Sequence, residues 1–292
     1  MKPFLFLFLV TLVACHEQAF KEGKEFAGKN KVSAQTLNLG KSTYMEYCVS
    51  CHGDKGDGKG VAAKGMDPIP RDFTLGLYKF GQVPAGELPH DADFSAIIKK
   101  GLHGTAMLPW DISEERIHAV TQYIKTFAPK VWEAKEAVLG ERIIPTKDPY
   151  GLAHKTTAIE KGKEVYHVTA QCTTCHRAFI PKKELSALWE KVNKEKLTVF
   201  DPALYLPKVQ DSEYGVKIVP PDFTWHNIRS ASSVEELYVR IASGVSGSGM
   251  PPWKGTIEDH EIWATAYYVK SLMDLKDKPE RADFLKSIEQ SE

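Results

Sequence analysis

The chain has 292 residues, enough for two modest domains, and its 42% hydrophobic and 26% charged content is that of a globular protein, which excludes a disordered or fibrous chain. Its 38 lysines and arginines balance its 38 aspartates and glutamates, and both halves are close to neutral. A bulk electrostatic attraction to nucleic acid is therefore excluded as well.

At the N-terminus, Lys2 precedes an almost unbroken apolar run from Pro3 to Ala14. The run is too short to cross a bilayer as a helix and reads as a signal peptide, residues 1–14. Its end, Leu12-Val13-Ala14-Cys15, resembles the lipobox of bacterial lipoproteins, in which the peptide is cut before the cysteine and that cysteine is acylated. Two or more acyl chains on one residue anchor a protein stably. An ordinary cleaved signal with an incidental Cys15 is the alternative. On the lipoprotein reading, residues 15–39 are a polar tether, and the mature protein sits on the periplasmic side of a bacterial membrane.

The other four of the five cysteines form two pairs, Cys48-Val49-Ser50-Cys51-His52 and Cys172-Thr173-Thr174-Cys175-His176. Two thiols at this spacing, followed at once by histidine, form the haem c attachment pattern: the thiols bond the two vinyl groups of one porphyrin, and the imidazole reaches the iron. A thioredoxin-like pair needs a βαβ context and no histidine. Zinc ribbons place their pairs much closer together. Disulfides are permitted outside the cytoplasm but explain neither histidine. Two copies of the pattern predict two covalent haems c.

The pairs belong to a longer repeat. Gly40-Lys41-Ser42-Thr43-Tyr44 precedes the first pair and Gly162-Lys163-Glu164-Val165-Tyr166 the second, which has two extra residues between tyrosine and cysteine. Pro70-Arg71-Asp72-Phe73-Thr74 matches Pro220-Pro221-Asp222-Phe223-Thr224, and Asp93 to Trp110 aligns without a gap to Glu236 to Trp253. Within the first unit, Gly40 to Cys51 predicts a helix, and Gly53 to Gly60 is too glycine-rich for anything but a loop. Phe94, Ile97 and Ile98 predict a helix ending at Gly101. Ser113 predicts the start of another, with Ile117, Val120, Ile124 and Phe127 as its apolar stripe. The units span 40–130 and 155–276, joined by a linker at 131–154. The second carries an insertion at 182–219, helical around Leu185 to Trp189, and 277–292 is a charged tail.

The second axial position of a histidine-bound iron separates carrier from catalyst. Met107 and Met250 occupy equivalent positions in Gly- and Pro-rich loops, which can lay a thioether on a haem face, and they are the expected ligands opposite His52 and His176. Met45 and Met273 read as helix core residues. His90, His103, His118, His154, His167, His226 and His260 recur at no equivalent position and read as solvated or hydrogen-bonded surface residues.

Both units resemble class I cytochrome c domains, which implies an all-α fold of two such domains in tandem. Arg177, standing where the first unit has Gly53, departs from the familiar pattern. The resemblance implies that a proline carbonyl, Pro68 in the first unit, accepts a hydrogen bond from the proximal imidazole. It implies a membrane-tethered dihaem carrier of single electrons between respiratory redox proteins, with no substrate chemistry of its own. The rival readings are a dihaem cytochrome c peroxidase-type enzyme, which needs an iron with a vacant position, and a fixed electron-transfer subunit of a respiratory oxidoreductase complex.

Overall fold

The computed structural model describes residues 19–289. The signal peptide and Cys15 lie outside the described residues. In the first unit, β1 (Lys24–Phe26) pairs antiparallel with β2 (Asn30–Val32). Then follow α1 (Ala34–Tyr47), α2 (Val49–His52), α3 (Asp91–Lys100), α4 (Glu114–Lys125) and the single turn α5 (Pro129–Trp132). The second unit runs through α6 (Lys155–Glu164), α7 (Lys182–Asn193), α8 (Val234–Ser243), α9 (Asp259–Met273) and α10 (Glu280–Glu289). Apart from the β1–β2 hairpin, the described elements are helical, and α1, α3 and α4 recur as α6, α8 and α9.

The helix termini follow their sequence signals. Ser113 accepts a hydrogen bond from the Arg116 amide and opens α4, with Glu114 and Glu115 in its first turn. Gly101 stops α3 at a φ of 65°. The apolar stripe of α4 is buried, Ile117, Val120 and Ile124 being at most 5% exposed.

In each unit two helices, α1 with α4 and α6 with α9, cross at van der Waals contact, and glycine makes this possible. A Cβ on Gly40 would lie 2.1 Å from the Ala119 carbonyl oxygen, and one on Gly162 would lie 2.0 Å from that of Ala264. Tyr123 and Tyr268 flank the two crossings, their Cβ atoms 2.8 Å from the same positions. Gly162→Ala must push α6 off α9, and overpacking of this kind costs roughly 1–3 kcal/mol. The expected result is a lower denaturant midpoint for the second unit. An unchanged midpoint would mean that the crossing is not close.

Three segment assignments change. The tether ends well before residue 39: Ser33 caps α1, so the helix starts at Ala34, and Phe26, Val32 and Leu37 belong to the first core. Few apolar residues lie in this polar stretch, but the hairpin and the first turn of α1 direct them to one side. The linker at 131–154 is strapped to both units. Trp132 is fully buried in the first core and donates to the Tyr78 hydroxyl at 2.9 Å, while Ile143 enters the second core. The tail at 277–292 includes α10, whose Phe284, Leu285 and Ile288 cover the second core beneath a charged outer face. The 182–219 insertion carries α7 as expected and buries a small cluster around Leu185, Ile180 and Leu204.

Candidate functional site

Each Cys-x-x-Cys-His turn lies where the first helix of its unit ends. Cys48 follows α1, and its thiol borders the first core; Cys172 borders the second. Cys48, Cys51, Cys172 and Cys175 are half-buried free thiols. The His52 ring stacks on Phe73 with centroids 4.5 Å apart, and His176 stacks on Phe223 at 5.1 Å. Tyr44 donates to the carbonyl of Gly53 at 2.7 Å, and Tyr166 to that of Arg177 at 3.0 Å. The repeat therefore holds in three dimensions, although the second tyrosine is two residues further from its cysteine.

A π-helical turn at Val165–Thr169 and a left-handed Gln171 (φ 46°) absorb those two residues. The turn buries His167, which is 2% exposed and not the surface residue its sequence position implied. Its Nδ1–H donates to the Lys163 carbonyl at 2.8 Å, and its Nε2 accepts from the Phe179 amide at 3.2 Å. Burial holds it neutral, with a pKa near 4.

The haem-motif histidines are neutral too: burial lowers the pKa of His52 and brings that of His176 to about 4. A carbonyl can only accept, so the 3.0 Å contact between His52 Nδ1 and the Arg71 carbonyl places the proton on Nδ1. The Nε2 lone pair is then open for a metal. The accepting carbonyl belongs to Arg71, not to Pro68. In the second unit Pro221 stands at the corresponding position, and the buried Nδ1 of His176 has no partner. Burial pushes the Cys48 and Cys172 thiols up to about 12, so both stay protonated at neutral pH.

The methionine loops are also built alike. Gly101 (φ 65°) and Gly244 (φ 70°) turn the chain sharply after α3 and α8, and a Cβ on either would lie 2.6 Å from the carbonyl oxygen of Met107 or Met250. The loops close through Leu102 N–H to the Met107 carbonyl at 2.8 Å and Val245 N–H to the Met250 carbonyl at 3.0 Å. Met107 packs on the core that Cys48 borders, and Met250 on the core that Cys172 borders. Each repeat thus gathers its cysteine, histidine and methionine around one core. Met273 packs on the second core as expected, whereas Met45 is 45% exposed and not a core residue.

Sequence reasoning missed the seam between the units, where both methionine loops lie. The His103 amide in the first loop donates to the Arg229 carbonyl of the second unit at 3.2 Å. In the second loop, the Ser246 carbonyl accepts from Tyr214 at 2.7 Å, and the guanidinium of Arg71 in the first unit lies 3.8 Å above the Tyr214 ring. Arg240, 8% exposed, donates to the carbonyls of Phe80 and Gly81 across the seam at 3.1 and 3.2 Å and to that of Gly244 at 3.1 Å. One signal was present: Arg240 aligns with Ile97, a charge at an apolar register position. Arg71, Lys79 and Arg229 leave a positive cluster at this seam, and burial, followed by the two arginines, lowers Lys79 to about 8.

The donor set fits a covalently held haem. It comprises two thiols with two residues between them, a neutral imidazole, and a thioether loop on the same core. Among the described residues no group of three or more His, Cys, Asp or Glu side chains gathers as a metal site of another kind. No described helix is long and apolar enough to cross a membrane.

None of the curated proteins matches the chain as a relative. Among solved structures, a chain of the Kuenenia stuttgartiensis reducing HAO-like protein complex Kustc0457/Kustc0458 is similar, with 30% identity and a TM-score of 0.60 over 80% of this chain and 95% of that one. A family model, described as cytochrome c oxidase, cbb3-type, subunit III, matches twice, over residues 35–124 and 157–269, one match on each structural unit. With a family match on each unit and the same helices in each, the chain belongs to this c-type cytochrome family and consists of two cytochrome c domains in tandem.

Proposed function

We propose that the chain holds two haems c, one per domain, and passes single electrons between redox proteins on the periplasmic side of a bacterial membrane. In this reading Cys48 and Cys51 bond the first haem and Cys172 and Cys175 the second. His52 and Met107 ligate the first iron, and His176 and Met250 the second. The observation that carries the reading is the gathering of cysteine, histidine and methionine around one core in each repeat. Each haem, when bound, supplies one-electron exchange at its iron. The chain's own residues hold it: the Arg71 carbonyl orients the His52 ring, Phe73 and Phe223 back the two imidazoles, and the glycine turns at 101 and 244 seat the methionine loops. Acid–acetone extraction followed by intact mass tests the cofactor count. Both haems are expected to stay with the polypeptide, and release of one would remove the assignment at that site. Cys172→Ala is expected to remove one thioether at the second site and leave the first untouched.

Cys15 is the proposed lipid anchor, supported by the Leu12-Val13-Ala14-Cys15 motif. Wild type is expected in the membrane fraction and Cys15→Ala in the soluble periplasmic fraction. Wild type found soluble would favour the ordinary signal. A second reading, a fixed electron-transfer subunit of an oxidoreductase, is favoured by the solved neighbour, which is a chain of a multiprotein complex. Co-purification of a stoichiometric partner would select it over a free shuttle.

A further inference from the structure

The insertion of the second domain has no counterpart in the first, and part of it forms a hairpin at the seam. Gln210 and Ile218 exchange backbone hydrogen bonds at 2.8 and 2.9 Å, and Gly215 (φ 71°) turns the chain between them. This places Tyr214 at the tip. Its hydroxyl donates to the Ser246 carbonyl at 2.7 Å, and the neighbouring Glu213 amide donates to the Gly247 carbonyl at 3.0 Å. The ring lies so close to the loop that a Cβ on Gly247 would be 2.7 Å from it. Ser246 and Gly247 belong to the loop that presents Met250. Against the same ring, the Arg71 guanidinium of the first domain stacks at 3.8 Å, and Lys79 stands 5.6 Å from the ring centroid. The backbone carbonyl of Arg71 is the one that accepts from His52 Nδ1 at 3.0 Å.

We propose that Tyr214 is a positioning residue that couples the two redox sites, its hydroxyl seating the Met250 loop of one domain and its ring holding Arg71, and through the Arg71 carbonyl His52, in the other. This rests on the reading of Met250 and His52 as axial ligands. A thioether favours the ferrous iron, so a loosened Met250 lowers the potential of the second haem. A hydrogen bond from the proximal imidazole raises its basicity and favours the ferric iron, so a weakened His52–Arg71 bond raises the potential of the first. One side chain therefore acts on the two haems with opposite sign.

The test uses the full-length protein with both haems, compared by redox titration and by the sulfur-to-iron charge-transfer absorption. Met107→Ala and Met250→Ala first assign each potential to its haem. Tyr214→Ala is expected to lower the second potential, raise the first and diminish the Met250 band. Tyr214→Phe keeps the ring beneath Arg71 and loses only the Ser246 bond, so it is expected to lower the second potential alone. Arg71→Lys keeps the positive charge but loses the flat guanidinium on the ring, so it is expected to raise the first potential alone, and these two milder variants decide the matter if Tyr214→Ala loses haem. Unchanged potentials in Tyr214→Ala, or shifts of the same sign at both haems, overturn the coupling, as does a shift confined to the second haem. A wild-type protein without the charge-transfer band overturns the ligand assignment itself, before any change at Tyr214, and the coupling with it.

Discussion

In Met107→Ala the first haem is expected to bind carbon monoxide when ferrous and to fall in potential, while the second keeps both its ligand band and its potential. Each methionine comes from its own repeat and packs on its own core, which is why the two effects separate. Axial ligation sets haem potentials across a span of roughly 0.8 V, so loss of a thioether is among the largest single changes available to such a protein. Met250→Ala is expected to do the same at the second haem. The loops make each substitution local: Gly101 and Gly244, together with the carbonyl bonds that close them, fix the backbone whatever side chain stands at 107 or 250. Wild type is expected to have both irons closed, to bind carbon monoxide poorly and not to turn over peroxide with an electron donor. Rapid peroxide reduction by wild type with one haem already high-spin would reverse this reading. One domain would then be a catalytic site of the peroxidase type, and its methionine a packing residue.

Arg240→Ala is expected to cost about 3–5 kcal/mol and to split unfolding into two transitions, one per domain, in denaturant melts followed at both cores. The guanidinium is buried against the carbonyls of Phe80, Gly81 and Gly244, and its Nε donates to the Ser230 hydroxyl at 3.1 Å. Truncation takes the donor from the Phe80 and Gly81 carbonyls, at roughly 1–3 kcal/mol for each unsatisfied group and less than additively, while the Gly244 carbonyl keeps the Ser243 hydroxyl at 3.3 Å. Burial lowers the guanidinium to about 10, against the opposing charge of Asp93, so it remains protonated at neutral pH. An ion pair also crosses the seam, Lys100 with Glu236 at 3.0 Å, but its lysine side chain is 68% exposed, and such pairs are worth at most about 1 kcal/mol. Arg240 is therefore the larger contributor to the seam. A single transition at the wild-type midpoint would show that other contacts hold the domains together without it.

How much of this was legible in one dimension depended on the range of the interaction. The haem motifs, the methionine loops and the caps at Ser113 and Gly101 are local patterns, set by residues within one or two turns of each other, and the duplication shows because those local patterns recur. The boundaries failed where a few apolar residues in polar stretches were decided by distant partners. Phe26 and Val32 become core only because the first hairpin folds onto the first unit, and Ile288 only because α10 packs on the second core. His167 looked like a surface residue until the π-helical turn that absorbs two extra residues buried it. The donor set proposed for each site is read from the sequence alone, since thiols, imidazole and thioether carry their chemistry with them. The acceptor for His52, the seating of Tyr214 from the insertion on the second methionine loop and the placing of both methionine loops at one seam were decided by tertiary structure. Each of these depends on a backbone carbonyl or a ring face, groups that every sequence contains and that acquire a partner only when the chain is folded.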